Sequence, residues 1–331
     1  MIPSFVRGPI ANVFTCFNQD LTIDEAGQRN FIDFLKESNC ISAYFVRSGM
    51  GQMYAYQYDE VKQMAKLACD HIGAQAPVLV GTSGIWDHNY DKRPDAATFT
   101  REACELSKYA EDCGAAGVVH TMPEAIVPKA GETIADVTMR YFETVCASVK
   151  IPVFLYQPPV TKKEYCVTID LIRKLADIPN AAAIKVSSDS AQILLDLNWA
   201  IRGKDFAYIQ GNECAFYTAL GMGAKAVIGQ GCCVNPSVLV ALQDRFEKGD
   251  FAGAMDAQRS INYLVETSVC TVEWLKRYAT EKGFPMQPYA RDMANNPYYT
   301  HPAPLTDDQY KGYKVILEAE LEKYASGVAA N

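Results

Sequence analysis

Short apolar runs rich in β-forming residues alternate with longer segments of helical periodicity along most of this chain. The apolar runs fall at 8–17, 41–48, 77–83, 117–123, 152–158, 182–188, 206–212 and 226–232. Between them, segments such as 24–39, 58–72, 96–113 and 134–149 repeat apolar residues at intervals of three and four. This alternation predicts parallel strands joined by crossover helices, and eight repeats predict closure into a barrel. The fold class is therefore α/β, a (β/α)8 TIM barrel with a C-terminal helical extension. At 331 residues the chain suits such a barrel of roughly 250 residues plus an appendage. Thr22 with Asp24, Asp59 with Glu60, and Thr133 offer helix starts, while Cys113-Gly114 and Met222-Gly223 mark helix ends. From Pro236 the pattern is helical, over 238–248, 251–266, 272–283 and 307–324, interrupted by a Pro/Asn/Tyr-rich stretch at 288–304. Residues 1–235 are expected to form the barrel with its catalytic site, and 236–331 the extension.

Barrels of this kind carry their chemistry at the carboxyl ends of the strands. Those ends collect Thr15, Arg47 with Ser48-Gly49-Met50-Gly51, Thr82-Ser83, His120-Thr121, Tyr156, Lys185 with Ser187-Ser188, Gln210-Gly211-Asn212 and Gly229-Gln230-Gly231. Lys185 lies in the apolar run Ala181-Ala182-Ala183-Ile184-Lys185-Val186, where an ammonium is out of place unless the amine has a task. An ordinary lysine, with a pKa of about 10.4, is protonated at neutral pH, so a nucleophilic one needs desolvation or a neighbouring positive charge. Tyr156 ends the preceding strand, just before Pro158-Pro159. A lysine and a tyrosine at the ends of successive buried strands form the arrangement that Schiff-base chemistry requires. The alternatives are a lysine whose stem packs on the barrel while its head reaches water, and a tyrosine that simply closes the mouth. The glycines suit close backbone approach to an anion, although tight turns also favour them.

Formal net charge is -8 and no Lys/Arg-rich run stands out, so the electrostatic footprint for nucleic acid or an anionic membrane is missing. A small-molecule partner is expected. The 11 cysteines form no CxxC pair and read as reduced thiols, which points to the cytoplasm. No apolar stretch approaches the length of a membrane span. The histidines His71, His88, His120 and His301 show no metal-ligand spacing, so neither a metal nor another cofactor is expected.

These residues resemble the class I, Schiff-base-forming pyruvate aldolase and lyase family that includes dihydrodipicolinate synthase and N-acetylneuraminate lyase. The segments that carry the resemblance are Gly8-Pro9-Ile10-Ala11-Asn12-Val13-Phe14-Thr15, Ser48-Gly49-Met50-Gly51-Gln52, Val80-Gly81-Thr82-Ser83-Gly84, residues 114–119, 151–159, 184–188 and 223–236. The resemblance implies that Lys185 condenses with the keto group of a 2-oxo acid and that Tyr156 carries protons. It further implies that the amides of Gly49 and Met50 hold the carboxylate and that Gly211 and Ile228 line the pocket beside the imine. Ser48 and Arg47 complete the expected substrate-binding set.

Departures from the family pattern are equally informative. The usual second-strand signature Gly-Thr/Ser-Thr-Gly-Glu reads Ser48-Gly49-Met50-Gly51-Gln52, which removes both hydroxyls and the acid. Pro123-Glu124-Ala125 replaces Pro-Tyr-Tyr, and Thr161 stands where the synthase carries an arginine. Dihydrodipicolinate synthesis itself is therefore disfavoured, and Arg47, Ser83, His120 and Glu124 become candidate replacements. Three functions stay open: a lyase or aldolase of a 2-oxo acid, a dehydratase or hydratase-aldolase of a 2-keto-3-deoxy sugar acid or aryl 2-oxo acid, and a barrel that binds a 2-oxo acid without turnover. The family is commonly tetrameric. Apolar residues of the tail, with Tyr54, Tyr56 and Tyr58, suggest a homo-oligomer, a tetramer or dimer.

Overall fold

The computed structural model describes residues 2–291 and 305–325. Eight strands, β1 (Gly8–Asn12), β2 (Ala43–Val46), β3 (Val78–Gly81), β4 (Gly117–Thr121), β5 (Val153–Gln157), β6 (Ala181–Val186), β7 (Ala207–Gln210) and β8 (Ala226–Val227), pair in parallel in that order and close on themselves. The closure register sets Gly8 against Ala226 and Pro9 against Val227. Ladder strands are shorter than the apolar runs that announce them, most of all β8. There the Ile228 amide still bonds the Gln210 carbonyl at 2.8 Å, after which the chain turns through Gly229–Gly231 out of the sheet.

The first four crossover helices begin where their caps lie. Asp24 accepts from the Gly27 amide at 2.9 Å to open α1 (Glu25–Lys36), and Glu60 accepts from the Gln57 amide at 2.8 Å at the start of α2 (Tyr58–Ile72). Asp95 opens α3 (Ala96–Asp112), and a capping box of Thr133 with Asp136 opens α4 (Ile134–Ser148). Each such cap contributes about 1 kcal/mol. The ring continues with α5 (Ile169–Leu175), α6 (Ala191–Ala200) and α7 (Phe216–Met222), the last stopped by Gly223 at φ 112°. After the single turn α8 (Gly231–Val234), α9 (Pro236–Glu247) packs Val238, Leu239 and Leu242 on Phe216 and Val227.

Apolar side chains fill the barrel itself, among them Ile10, Phe45, Leu79, Val119, Phe154, Ala183, Ile209 and Ile228. Burial of each large one contributes about 1.5–3 kcal/mol. The tail adds α10 (Phe251–Thr267), α11 (Thr271–Glu281) and α12 (Asp307–Glu322). Buried Trp274 joins the last two, its ring 4.8 Å from that of Tyr313 and its indole N–H bonded to the Tyr310 carbonyl at 3.1 Å. Of the interrupting stretch 288–304, all beyond Arg291 lies outside the described residues. No helix among the described residues is long and apolar enough to cross a membrane, and all 11 cysteines are free thiols.

Tyr54 and Tyr56 do not offer the exposed surface expected of them. They are 8% and 2% accessible within the single chain, because the segment after β2 folds back over the barrel mouth.

Candidate active site at the barrel mouth

Alternation along a strand sends every second side chain into the barrel. In β5 those are Phe154 and Tyr156, in β6 Ala183 and Lys185, and the sheet register sets Tyr156 directly beside Lys185. Both are buried, at 0% and 6% exposure. The Lys185 ammonium lies 4.1 Å from the centroid of the Tyr156 ring, a cation–π distance. Among the described residues no carboxylate lies within ion-pair distance of it. Just beyond β7, the Glu213 side chain accepts from the Gly231 amide at 2.9 Å. Burial pushes the Glu213 carboxyl up, and the charge of Lys185 works against that shift.

Gly211 and Ile228 follow Ile209 and Ala226 by two residues on the same inward face, one layer nearer the mouth than Lys185. Gly211 cannot be replaced there, since a Cβ would fall 2.5 Å from the Ser187 hydroxyl and 2.7 Å from its Cα.

Arg47 follows β2 with φ 49°, a left-handed conformation rare outside glycine, and is 4% exposed. Its Nε donates to the Met53 carbonyl at 3.2 Å, and its Nη1 donates to the carbonyls of Gly81 and Ser83 at 3.2 and 2.7 Å. Burial pulls the guanidinium down to about 10, still a cation at neutral pH. No carboxylate among the described residues pairs with it. Ser48, Gly49 and Met50 form the turn that follows. The Ser48 hydroxyl accepts from the Gly51 amide at 3.0 Å, so Ser48 shapes the turn, and Met50 is only partly buried.

Arg47, Ser83, Thr121 and Tyr156 line one cavity of about 20 Å³, room for about one water, with Phe45, Tyr54, Trp86 and Val119 as its apolar walls. The hydroxyls of Ser83 and Thr121 lie 3.2 Å apart within it. Lys185 is not among its lining residues.

His120 is not in this site. It is the neighbour of Val119 and so points the opposite way, out of the barrel, where its ring nitrogens meet the hydroxyls of Thr82, Ser107 and Tyr141 at 3.0 Å each. Burial holds the imidazole down at about 3. Glu124 is buried to the side of the mouth. It accepts from the Tyr90 hydroxyl at 2.5 Å and from the Lys162 amide at 2.8 Å. The Lys162 ammonium, next to Thr161, sits 3.5 Å from the Tyr90 ring centroid.

An aromatic group that the sequence reading passed over covers the mouth. Tyr54, Trp86, His88 and Tyr90 contact one another in sequence, with ring centroids 4.6 Å apart for Tyr54 and His88 and 5.1 Å for Trp86 and Tyr90. Their signal was available: three aromatic rings at alternate positions 86, 88 and 90 of an otherwise polar loop after a barrel strand.

The structure is thus a closed parallel barrel whose inward face ends in an adjacent lysine and tyrosine. The chain belongs to the dihydrodipicolinate synthetase family, whose model matches residues 6–319. It is 31% identical over 251 residues to YagE of Escherichia coli (strain K12), a proposed 2-dehydro-3-deoxy-D-gluconate aldolase, a match covering 75% of this chain and 76% of that protein. It is 25% identical to the 4-hydroxy-tetrahydrodipicolinate synthase of Dechloromonas aromatica over 76% of this chain and 79% of that one. The crystal structure of Escherichia coli YagE in complex with pyruvate superposes with a TM-score of 0.75 at 26% identity, covering 95% of this chain and 98% of that chain. N-acetylneuraminate lyase from Mycoplasma synoviae shares the fold, with a TM-score of 0.74 at 20% identity over 97% of this chain and 99% of the other.

Proposed function

We propose that this protein is a lyase or aldolase that forms a Schiff base between Lys185 and a 2-oxo acid of the pyruvate type. The observation that carries the reading is the buried Lys185 ammonium against the Tyr156 ring, without an ion-pair partner among the described residues. A buried cation left unpaired is costly, and such groups are kept where they have a chemical task. The amine in its neutral form adds to the keto carbon and water leaves, giving the protonated imine. In the cleavage direction Tyr156, having given its own proton to the hydroxide that left as water, takes the proton of the C4 hydroxyl. The C3–C4 bond then breaks with its electron pair moving toward the imine nitrogen, and an aldehyde departs. The resulting enamine takes a proton at C3, and hydrolysis returns the 2-oxo acid and the free amine.

Arg47, a buried cation at the same mouth, and the amides of Gly49 and Met50 hold the substrate carboxylate in this reading. Ser83 and Thr121 supply the hydroxyls that the turn at Ser48–Gln52 lacks, and Gly211 and Ile228 leave room beside the imine. YagE, whose solved structure holds pyruvate, supports the substrate class. The apolar walls Phe45, Tyr54 and Trp86 favour an aldehyde half of apolar or aryl character over a polyhydroxylated one, which keeps a hydratase-aldolase of an aryl 2-oxo acid as the second reading. Exposed Phe251 and Met255 on α10 support homo-oligomerisation.

Borohydride trapping with a panel of 2-oxo acids, read by intact mass, tests the proposal. One reduced adduct per chain with pyruvate or a larger 2-oxo acid is the expected result. No added mass with any of them leaves a non-catalytic binding barrel in its place.

A further inference from the structure

The turn at Ser48–Gln52 is held from two sides, and the outer side is the C-terminal segment. On the barrel side, the Thr15 hydroxyl donates to the Gly51 carbonyl at 2.6 Å, and Gly51 packs so tightly that a Cβ would fall 2.5 Å from the Val13 carbonyl oxygen. On the outer side, Gln52 is 2% exposed and left-handed at φ 61°. Its side-chain amide pairs both ways with the backbone of Arg291, donating to the Arg291 carbonyl at 2.5 Å and accepting from the Arg291 amide at 3.0 Å.

Arg291 is itself fixed by its side chain. Nε and Nη2 donate to the Leu21 carbonyl at 2.9 and 2.8 Å, and Nη1 donates to the Ala55 carbonyl at 2.6 Å. The two terminal nitrogens also grip both oxygens of Glu60, the N-terminal acid of α2. A guanidinium has five N–H donors, and all five are engaged. Upstream, Lys276 on α11 is fully buried, and its ammonium donates to the Tyr289 carbonyl at 2.7 Å, where Tyr289 bridges to Phe17. Between these anchors Phe284, Met286 and Tyr289 pack against the core, so apolar contacts and charged groups together fix this strap. A glutamate at position 52, as in the resembled family signature, could not donate to the Arg291 carbonyl, so the two-way pairing belongs to the glutamine of this chain.

We propose that Arg291 is a positioning residue for substrate-carboxylate binding: by clamping Gln52 it holds the Ser48–Gln52 turn in its binding shape and makes the C-terminal strap part of the 2-oxo-acid subsite. This rests on the Schiff-base reading above and on the role given there to the Gly49 and Met50 amides. Arg291 touches no substrate. A strap that merely stabilised the tail would affect all carbonyl compounds alike, whereas a clamp on the carboxylate turn discriminates between those with and without a carboxylate.

The test compares borohydride trapping of pyruvate and of acetaldehyde, which has the carbonyl but no carboxylate, in wild-type protein and in Arg291→Ala, Arg291→Lys and Gln52→Met. The half-saturating pyruvate concentration is expected to rise roughly tenfold in Arg291→Ala and Gln52→Met, the scale for losing a charge-assisted or paired hydrogen bond. Arg291→Lys, a single point donor, should fall between. Acetaldehyde trapping should change less than about twofold, and the Ser48–Met53 amides should exchange hydrogen faster in the variants. Equal shifts for both compounds, or no shift for either, overturn the proposal. So does unchanged hydrogen exchange over the turn. Wild-type protein that traps neither compound overturns the Schiff-base reading first and this inference with it, an outcome separable because it is seen without any substitution.

Discussion

His120 and Lys185 are both buried basic side chains on barrel strands, and they face opposite sides of the sheet. His120 of β4 points outward, and both its ring nitrogens are occupied by the hydroxyls of Thr82, Ser107 and Tyr141. Burial keeps it neutral, and nothing in that shell asks it to react. Lys185 of β6 points inward, against the Tyr156 ring, with no carboxylate partner among the described residues. A buried polar group whose hydrogen bonds are complete is architecture. Lys185, left without a matching charge among the described residues, is the reagent in the proposed reading.

The sharpest break of that contrast is Lys185→Ala, which should abolish adduct formation and turnover while circular dichroism still reports the barrel. Tyr156→Phe should leave adduct formation intact but slow turnover by roughly two to four orders of magnitude, read by steady-state rates beside trapping. Arg47→Leu should raise KM for the 2-oxo acid by roughly ten- to a hundredfold with a smaller change in kcat, the scale of a lost hydrogen bond to a charged group. His120→Leu should change KM and kcat least while lowering stability in urea by about 1–3 kcal/mol, since it strips a buried partner from three hydroxyls.

The pH dependence follows the same division. The His120 imidazole is held at about 3 in the folded chain against an ordinary 6.5, so between those values the unfolded state binds the extra proton. Its contribution is complete above pH 6.5 and is lost as pH falls, with a slope approaching about 1.4 kcal/mol per unit. His120→Leu should flatten that part of the stability curve measured by urea titration from pH 7 to pH 4.

The barrel and its order of elements were legible in the sequence because the alternation of short apolar runs and helical segments leaves few other folds. Tyr156 and Lys185 were legible because polar atoms in apolar runs are conspicuous. The side to which His120 points was not. Parallel strands are buried on both faces, so Gly117-Val118-Val119-His120-Thr121 shows no alternation from which to read parity. The lengths of β1 and β8 were also hidden, since the runs continue as apolar turns after the ladder ends. Glu213 and Arg291 reach the mouth or its turn from loops distant in sequence, and no local pattern announces them. The burial of Tyr54 and Tyr56 has the same origin, a chain that folds back after β2.

The most direct test of the account is where the adduct forms. Lys185 and Lys276 are the two buried lysines among the described residues, and Lys276 is spent on the Tyr289 carbonyl. After reduction with borohydride in the presence of a trapped 2-oxo acid, peptide mapping by mass spectrometry should place the added mass on Lys185 alone and find none in Lys185→Ala. An adduct on Lys276 or on exposed lysines, undiminished in Lys185→Ala, would contradict the account.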